Sequence, residues 1–422
     1  MMGSTRARRR SAGVRAVFST AVIAALSVGM SMLVALPHLV RILFGLLAAL
    51  CALCSALGIA YSSLAGFLVR RFFARPCVAP QSHPGVTVVK PLHGDEWNLA
   101  QNLSTFFEQD YPGPVQYLFG VHDPDDPALK TVDALRARYP LAQITVVADS
   151  RLYGPNRKVA NLVNMLPQAA HDVLCFADSD VTVDRDYLRH IVGALQQPGV
   201  GAVTCVYRGM CAPGFWPRFA AASTNYHFLP GVVTGLAIGR ARPCFGQTIA
   251  MQRAMLERIG GFAQFAHYLA EDHAIGEAVR RTGATVAIPP FTVRHACVET
   301  TFARLFEHEL RWSRTIRAAD RAGHLGSVLM HPFPMALLAV LGSGGEPAAW
   351  GLAAAALLVR ATLKWRTDRA IGERCQGLWL LPLWDIVQFM IFVSSFFSSR
   401  VVWRGFSFSV DGNGRLSPQH DD

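Results

Sequence analysis

Asp172-Val173-Leu174-Cys175-Phe176-Ala177-Asp178-Ser179-Asp180 decides how this chain is read: a short apolar run stops on two carboxylates set one residue apart. A continuous apolar run of this length, bounded by polar residues, fits a strand buried on both faces, as in a parallel sheet covered by helices. In such sheets ligands gather at the carboxyl ends of the strands. Acidic residues recur at equivalent places. Asp95-Glu96 follows the strand-like Val86-Thr87-Val88-Val89, and His122-Asp123 follows the run at 116–121.

Helical patterns lie between these runs. Residues 98–109 carry Leu99, Leu103, Phe106 and Phe107 on one face, and further helices are expected over 127–138, 157–166 and 184–196, with a strand at 144–147. Strand and helix in alternation, joined by short connections, imply right-handed crossovers and an α/β fold with a mostly parallel sheet. Residues 200–205 and 244–251 read as two more strands. Gly246 and Gln247 interrupt the second, which points to close approach of backbone and ligand. Residues 268–276 open a helix with Glu271-Asp272 near its start, and 304–317 form a basic amphipathic helix carrying Arg311-Trp312. No Gly-x-Gly-x-x-Gly or Walker loop follows any of the first strands, which argues against a dinucleotide oxidoreductase and a P-loop ATPase.

Two acidic stations then suit group transfer from a diphosphate. Such a leaving group concentrates negative charge, so it needs a divalent cation held by carboxylates. Asp180, with Asp178, fits Mg²⁺ or Mn²⁺, hard ions commonly shared between carboxylates and phosphate oxygens. An attacking hydroxyl needs a separate carboxylate as base, for which Asp272 is the candidate. Lys158, in Asn156-Arg157-Lys158 ahead of a helix, suits a phosphate contact. Each residue has a plainer reading: Asp178 and Asp180 as helix caps, Glu271-Asp272 as a dipole-compensating pair, Lys158 as a solvated charge. Their recurrence together in one α/β pattern weighs against it.

At 51% hydrophobic residues and a mean hydropathy of +0.27, the 422-residue chain is too apolar for an ordinary soluble enzyme. Residues 16–36 and 42–69 are nearly uncharged runs at or above the roughly 20 residues that cross a ~30 Å hydrocarbon core. Residues 325–363, broken by Gly342-Ser343-Gly344-Gly345-Glu346-Pro347, and 378–397 are further apolar blocks. The expected organisation is an anchor of one or two spans over 1–75, a catalytic domain over 76–324, and C-terminal membrane helices with an interfacial tail over 325–422. Val401-Val402-Trp403-Arg404-Gly405-Phe406 would lie at that interface. The first run also reads as a signal peptide, and translation starting at Met30 or Met32 would leave one span. Three C-terminal spans would put the tail outside, so one block, such as that containing Asp385, is expected to be re-entrant or interfacial.

The formal net charge of +11 is concentrated beside the apolar runs, at Arg6, Arg8, Arg9, Arg10 and Arg15, then Arg70, Arg71 and Arg75, then Lys364, Arg366, Arg369 and Arg374. Basic residues flanking spans stay on the cytoplasmic side, which predicts an integral membrane protein with a cytoplasmic catalytic domain and speaks against nucleic-acid binding. Nine cysteines include one close pair, Cys51 and Cys54, inside an apolar run. Neither a disulfide framework nor a metal site fits, and a reducing compartment is expected.

Several stretches in one order carry a family resemblance: Lys90-Pro91-Leu92-His93-Gly94-Asp95-Glu96, Asn102-Leu103 with Phe106-Phe107 and Asp110-Tyr111-Pro112, Asp123-Pro124-Asp125-Asp126-Pro127-Ala128, Gly154-Pro155-Asn156-Arg157-Lys158, Asp178-Ser179-Asp180, Ala270-Glu271-Asp272 and Arg311-Trp312. From about residue 42 onward the chain resembles the ceramide glucosyltransferase family of membrane-bound inverting glycosyltransferases (family 21), in particular its bacterial branch linked to hopanoid biosynthesis. The resemblance implies a GT-A fold, Rossmann-like and mostly parallel, with N- and C-terminal transmembrane helices. It also implies a UDP-sugar donor, a divalent metal and a membrane-lipid acceptor. UDP-N-acetylglucosamine with a polyhydroxylated hopanoid is favoured, in a bacterial inner membrane; UDP-glucose with ceramide is the alternative. Either Asp95 or Glu96 matches the family's nucleotide-binding carboxylate, Glu96 by register. Asp123 is assigned to the base or ribose, Arg311 to the departing diphosphate, and Trp312 to the same station or to packing. His308 stands where the family has a basic or amide residue three positions before Arg-Trp, and with Gln247 it is a candidate for acceptor or product contacts. A processive polysaccharide synthase and a non-enzymatic nucleotide-sugar sensor are the rival readings.

Overall fold

The computed structural model describes residues 40–374 and 377–397, with the backbone of 400–403, 406–410 and 416–418. The run at 16–36, its flanking arginines, Met30 and Met32 lie outside the described residues, as do Arg404 and Gly405 of the expected interfacial segment. Helix α1 (Val40–Phe73) leads into the α/β unit. Its first half alternates as expected: β1 (Val86–Pro91), α2 (Leu99–Phe107), β2 (Val115–Val121), α3 (Ala128–Arg138), β3 (Gln143–Ala148), α4 (Arg157–Met165) and β4 (Val173–Phe176). Next come β5 (Val181–Thr182), α5 (Tyr187–Leu195), β6 (Val200–Thr204), β7 (Val206–Cys211), α6 (Phe215–Ser223) and α7 (Leu229–Ala237). The unit ends with β8 (Ile249–Gln252), α8 (Arg253–Arg258), α9 (Glu271–Arg281), β9 (Thr285–Ala287) and β10 (Thr292–Cys297).

The main sheet runs β3-β2-β1-β4-β8-β6-β9. Its first four strands are parallel, β8 runs against both β4 and β6, and β9 is parallel to β6. This mixed, mostly parallel α/β sheet is the GT-A-type arrangement implied above. Successive residues of β1 point to opposite faces: Val86 and Val88 join one core cluster, Val89 the other. Both faces are covered, which is why the strands read as continuous apolar runs.

Two features differ from the sequence reading. The strand expected over 244–251 begins only at Ile249. Just before it, backbone groups are satisfied by side chains instead of a ladder: Phe245 N and O both bond Thr204 Oγ1, and Gly246 N donates to Asp272. A second sheet, β5-β10-β7, was not foreseen, because β5 has two residues and β7 is broken by Arg208 and Gly209.

After β10 come α10 (Phe302–Ala319), α11 (Arg321–Gly326), α12 (Pro332–Gly342), α13 (Pro347–Ile371) and α14 (Leu381–Ser394), then a small antiparallel sheet of β11 (Arg400–Trp403), β12 (Phe406–Val410) and β13 (Leu416–Pro418). Helix α1 has 34 residues, about 51 Å at 1.5 Å each, and exposes Leu43, Leu46, Leu50, Leu53 and Leu57. By length and composition this helix is long and apolar enough to cross a membrane.

Helix α12 runs antiparallel to α1. Ser55 Oγ donates to Pro332 O at 2.8 Å, whereas Gly342, at the other end of α12, sits against Ala48 and Phe44. Helix α13 then returns, and Arg366 reaches Ser63 O. The two form a hairpin that brings the chain back toward the catalytic unit. At 11 and 14 residues, α12 and α14 are shorter than the roughly 20 needed to cross. Among the described helices only α1 passes as a span by itself, and α11–α12 passes only as one broken span bent by 71°. Lys364, Arg366 and Arg369, expected to flank a span, instead lie within α13, where Lys364 is buried 2.7 Å from Asp368. The eight described cysteines are free, and Cys51, Cys175, Cys205, Cys244 and Cys297 are buried small groups.

Candidate active site

Asn156 sets the geometry on one side. Its Oδ1 caps α4 by accepting from Val159 N at 3.1 Å, while Nδ2 donates to Tyr268 O and to Glu271 Oε2 at 3.0 and 3.1 Å. The start of α4 is thereby tied to the start of α9. Lys158, in the first turn of α4, places Nζ 2.6 Å from Asp178 Oδ1 and 3.2 Å from Glu271 Oε1. Asp272 is held by two backbone donors, Gly246 N to Oδ2 at 2.9 Å and His273 N to Oδ1 at 2.7 Å. A β carbon on Gly246 would lie 2.9 Å from Lys158 Nζ, 3.5 Å from Asp272 Oδ2 and 3.6 Å from Asp178 Oδ2. Three predicted site residues therefore surround one point, and a pocket lined by Lys158, Asp178, Gly246 and Glu271 opens there.

Beyond the end of β4, Asp180 is tied to β10: its carbonyl accepts from Ala296 N at 3.0 Å, and its Oδ2 faces His295 Nδ1 at 3.4 Å. Its Oδ1 is buried without a hydrogen-bond partner among the described residues. Ser179 Oγ donates to Glu96 Oε2, whereas Asp95 is exposed, so Glu96 is the carboxylate that reaches this turn. Lys90 lies beneath: its Nζ donates to Asp178 O at 2.7 Å and sits 3.5 Å from the Phe106 ring centroid.

Charge is distributed unevenly. Burial, with the Glu271 charge beside it, pushes Asp272 up to about 7, against the pull of Lys158 and the two backbone donors. Burial works against the charge on Lys158, yet Asp178 and Glu271 outweigh it and hold the ammonium above its usual value. For Lys90 burial wins and lowers it to about 7. Burial would raise Asp180, but His295, Lys90 and Lys158 together keep it below the ordinary carboxylate range. The two carboxylates are thus shifted in opposite directions, Asp180 toward permanent charge and Asp272 toward a proton acceptor at neutral pH.

Helix α10 supplies Arg311, Trp312 and His308. Trp312 packs among Tyr207, Phe228 and His295, with ring centroids 6.0, 6.4 and 5.8 Å away, so its ring also has the packing role considered above. His308 stands edge-on to Trp312 at 4.7 Å and bonds Glu299 through Nδ1. Gln247 follows Gly246 at the pocket edge, partly exposed. Asp123 is exposed and accepts from Asp125 N at 2.9 Å in a local turn; among the described residues no hydrogen bond or ion pair joins it to the Lys158 cluster. The sequence reading quoted Asn156, Gly246 and Lys90 without their roles as cap, point of convergence and buried ammonium, and missed His295 and Glu299 altogether. Asn156 just ahead of a helix and Gly246 interrupting an apolar run carried local signals.

Paired carboxylates after β4, a third at the start of α9 and a half-buried lysine near both, on this mixed sheet, match the set expected above of a GT-A-type glycosyltransferase. The chain belongs to glycosyl transferase family 21, whose profile matches residues 49–416. Among curated relatives, it is 26% identical to Ceramide glucosyltransferase 1 of Caenorhabditis elegans over 54% of this chain and 49% of that protein. It is 22% identical to Ceramide glucosyltransferase 3 of the same organism over 80% and 75%. A 124-residue stretch is 32% identical to Ceramide glucosyltransferase of Candida albicans, covering 27% and 23%. The chain thus spans about half the length of the first of these and three quarters of the second. Among solved structures, a mannosyltransferase from Pyrobaculum calidifontis in complex with GDP-Man and Mn²⁺ aligns with TM-score 0.48 and 22% identity, over 83% of this chain and 99% of that one.

Proposed function

We propose that this chain is a membrane-bound inverting glycosyltransferase that moves a sugar from a UDP-sugar to a hydroxyl of a membrane lipid. The observation that carries it is the meeting of Lys158, Asp178 and Asp272 around Gly246, a cation and two carboxylates whose basicity burial raises. Asp272 takes the proton of the acceptor hydroxyl as that oxygen attacks the anomeric carbon, in a single displacement that inverts its configuration. Lys158 and Arg311 neutralise the departing nucleoside diphosphate. Glu96, through the turn at Ser179, serves the nucleotide.

The partnerless buried Oδ1 of Asp180, next to Asp178, suits a hard divalent cation, Mg²⁺ or Mn²⁺, which when bound supplies Lewis-acid neutralisation of the diphosphate. Among the described residues no group of three or more His, Cys, Asp or Glu side chains converges on one ion site, so such an ion would depend on the donor for further ligands. Helix α1 and the α12–α13 hairpin hold the pocket beside a membrane, which we take to be a bacterial inner membrane with the catalytic unit in the cytoplasm.

For donor and acceptor, the family resemblance favours UDP-N-acetylglucosamine onto a hopanoid polyol. The ceramide glucosyltransferases among the relatives support the second reading, UDP-glucose onto ceramide. Mass spectrometry of lipids from a deletion strain separates them: an unglycosylated hopanoid polyol accumulates in the first case, ceramide in the second. In a radiolabelled-sugar assay Asp272→Asn is expected to abolish transfer while retaining donor binding. Full turnover by that variant would falsify the base assignment.

A further inference from the structure

Glu299 lies in the four-residue connection between β10 and α10 and is 9% exposed. Its Oε1 bonds His308 Nδ1, and its Oε2 is buried with no hydrogen-bond partner among the described residues. A carboxylate withdrawn from water to this degree is costly unless a charge or strong donor compensates it. Burial would raise Glu299, yet the bond and charge of His308 keep its carboxyl below the usual range. A loop needing only a hydrogen-bond acceptor at this place could use a neutral amide; the sequence keeps a full carboxylate aimed at one imidazole. That imidazole lies one turn ahead of Arg311 and edge-on to Trp312, whose ring contacts His295, the neighbour of Asp180.

Resting on the glycosyltransferase reading above, we infer that Glu299 is a positioning residue: it fixes the ring plane and tautomer of His308, so that Nε2, left with its lone pair, accepts a hydrogen bond from a substrate hydroxyl beside Arg311. An imidazole has two tautomers, and only the one protonated on Nδ1 offers an acceptor lone pair at Nε2. Glu299 therefore matters only because residue 308 is a histidine. With the proton held on Nδ1 by the carboxylate, Nε2 on the far side of the ring is the polar atom left for substrate.

The test uses the full chain in lipid nanodiscs. ¹⁵N NMR of the histidine side chains, with His308 identified as the signal lost in His308→Gln, is expected to show a protonated Nδ1. Glu299→Ala should shift that signal toward the other tautomer. In transfer assays Glu299→Ala is expected to lower kcat by about 10- to 100-fold at nearly unchanged donor KM. Introduced into His308→Gln, it should change kcat less than about twofold, because coupled residues do not multiply their losses. An unprotonated Nδ1 in the unaltered protein, or losses that multiply in the double variant, would overturn the inference. Should Glu299→Ala fail to fold, Glu299→Gln, which keeps the shape and removes the charge, provides the same comparison. If the unaltered chain transfers no sugar from any UDP-sugar, the glycosyltransferase reading fails, while the NMR signal still decides whether Glu299 fixes His308.

Discussion

Gly246 has no side chain where Lys158, Asp178 and Asp272 come together, and this absence is what lets the Lys158 ammonium approach the backbone so closely. Gly246→Ala should push Lys158 Nζ aside. Because that atom is the far end of a flexible side chain, the fold should survive with a nearly unchanged Tm, while transfer falls by roughly tenfold or more. Asp272 leads to a pH prediction. With its carboxyl raised to about 7, it is protonated and unable to act as base below that pH, so kcat/KM should rise with pH and level off above about 7. A profile flat from about pH 5.5 upward would remove Asp272 from the role. Asp180→Ala should weaken Mg²⁺- or Mn²⁺-dependent donor binding, measured by calorimetry with and without the ion, with little effect on metal-free binding. Asp178, Asp180 and Asp272 were legible because acidic residues end apolar runs or begin a helix. Asp95 and Asp123 carry the same signal and turned outward, since a strand's end fixes where the backbone is but not where a side chain points.

The start of α4 is the element on which the site depends most. One amide, Asn156, caps this helix and also bonds Tyr268 O and Glu271, so Asn156→Ala removes three hydrogen bonds together. The cap alone is worth about 1–2 kcal/mol. Thermal unfolding in detergent should show at least that loss, and donor affinity should fall as Lys158 loses its orientation. Elements with a strong pattern, such as the apolar face of α2 and the run of β4, were found within a few residues of their observed bounds. Residues 244–248 look like strand by composition but spend their backbone donors on Thr204 and Asp272, partners that only the folded chain brings near. The β5-β10-β7 sheet was invisible for the same reason, since a two-residue strand has no period to read.

Across the whole molecule, the catalytic unit and the apolar helices are joined by buried charge. Arg360 Nη2 lies 2.9 Å from Asp385 Oδ1, with side chains 3% and 2% exposed, and it also bonds Tyr226 O. Arg360→Met leaves Asp385 buried without its partner and should destabilise the protein by about 3–5 kcal/mol, whereas Arg360→Met with Asp385→Leu should recover most of that. Thermal unfolding of the two variants in detergent distinguishes a needed pair from an incidental one. Hydropathy identified α1 and located the hairpin turn at 342–347, but it counted spans by composition and expected α13 to end before its charges. The sequence by itself determined the α/β alternation and the long apolar helix α1, because burial of both sheet faces and unbroken apolar runs are written into local composition. Tertiary structure alone decided that α12 and α13 turn back along α1, that His295 meets Asp180 and that Glu299 meets His308. Each of these rests on pairing charges and filling space between segments far apart in the chain, and no local pattern of residues encodes such a meeting.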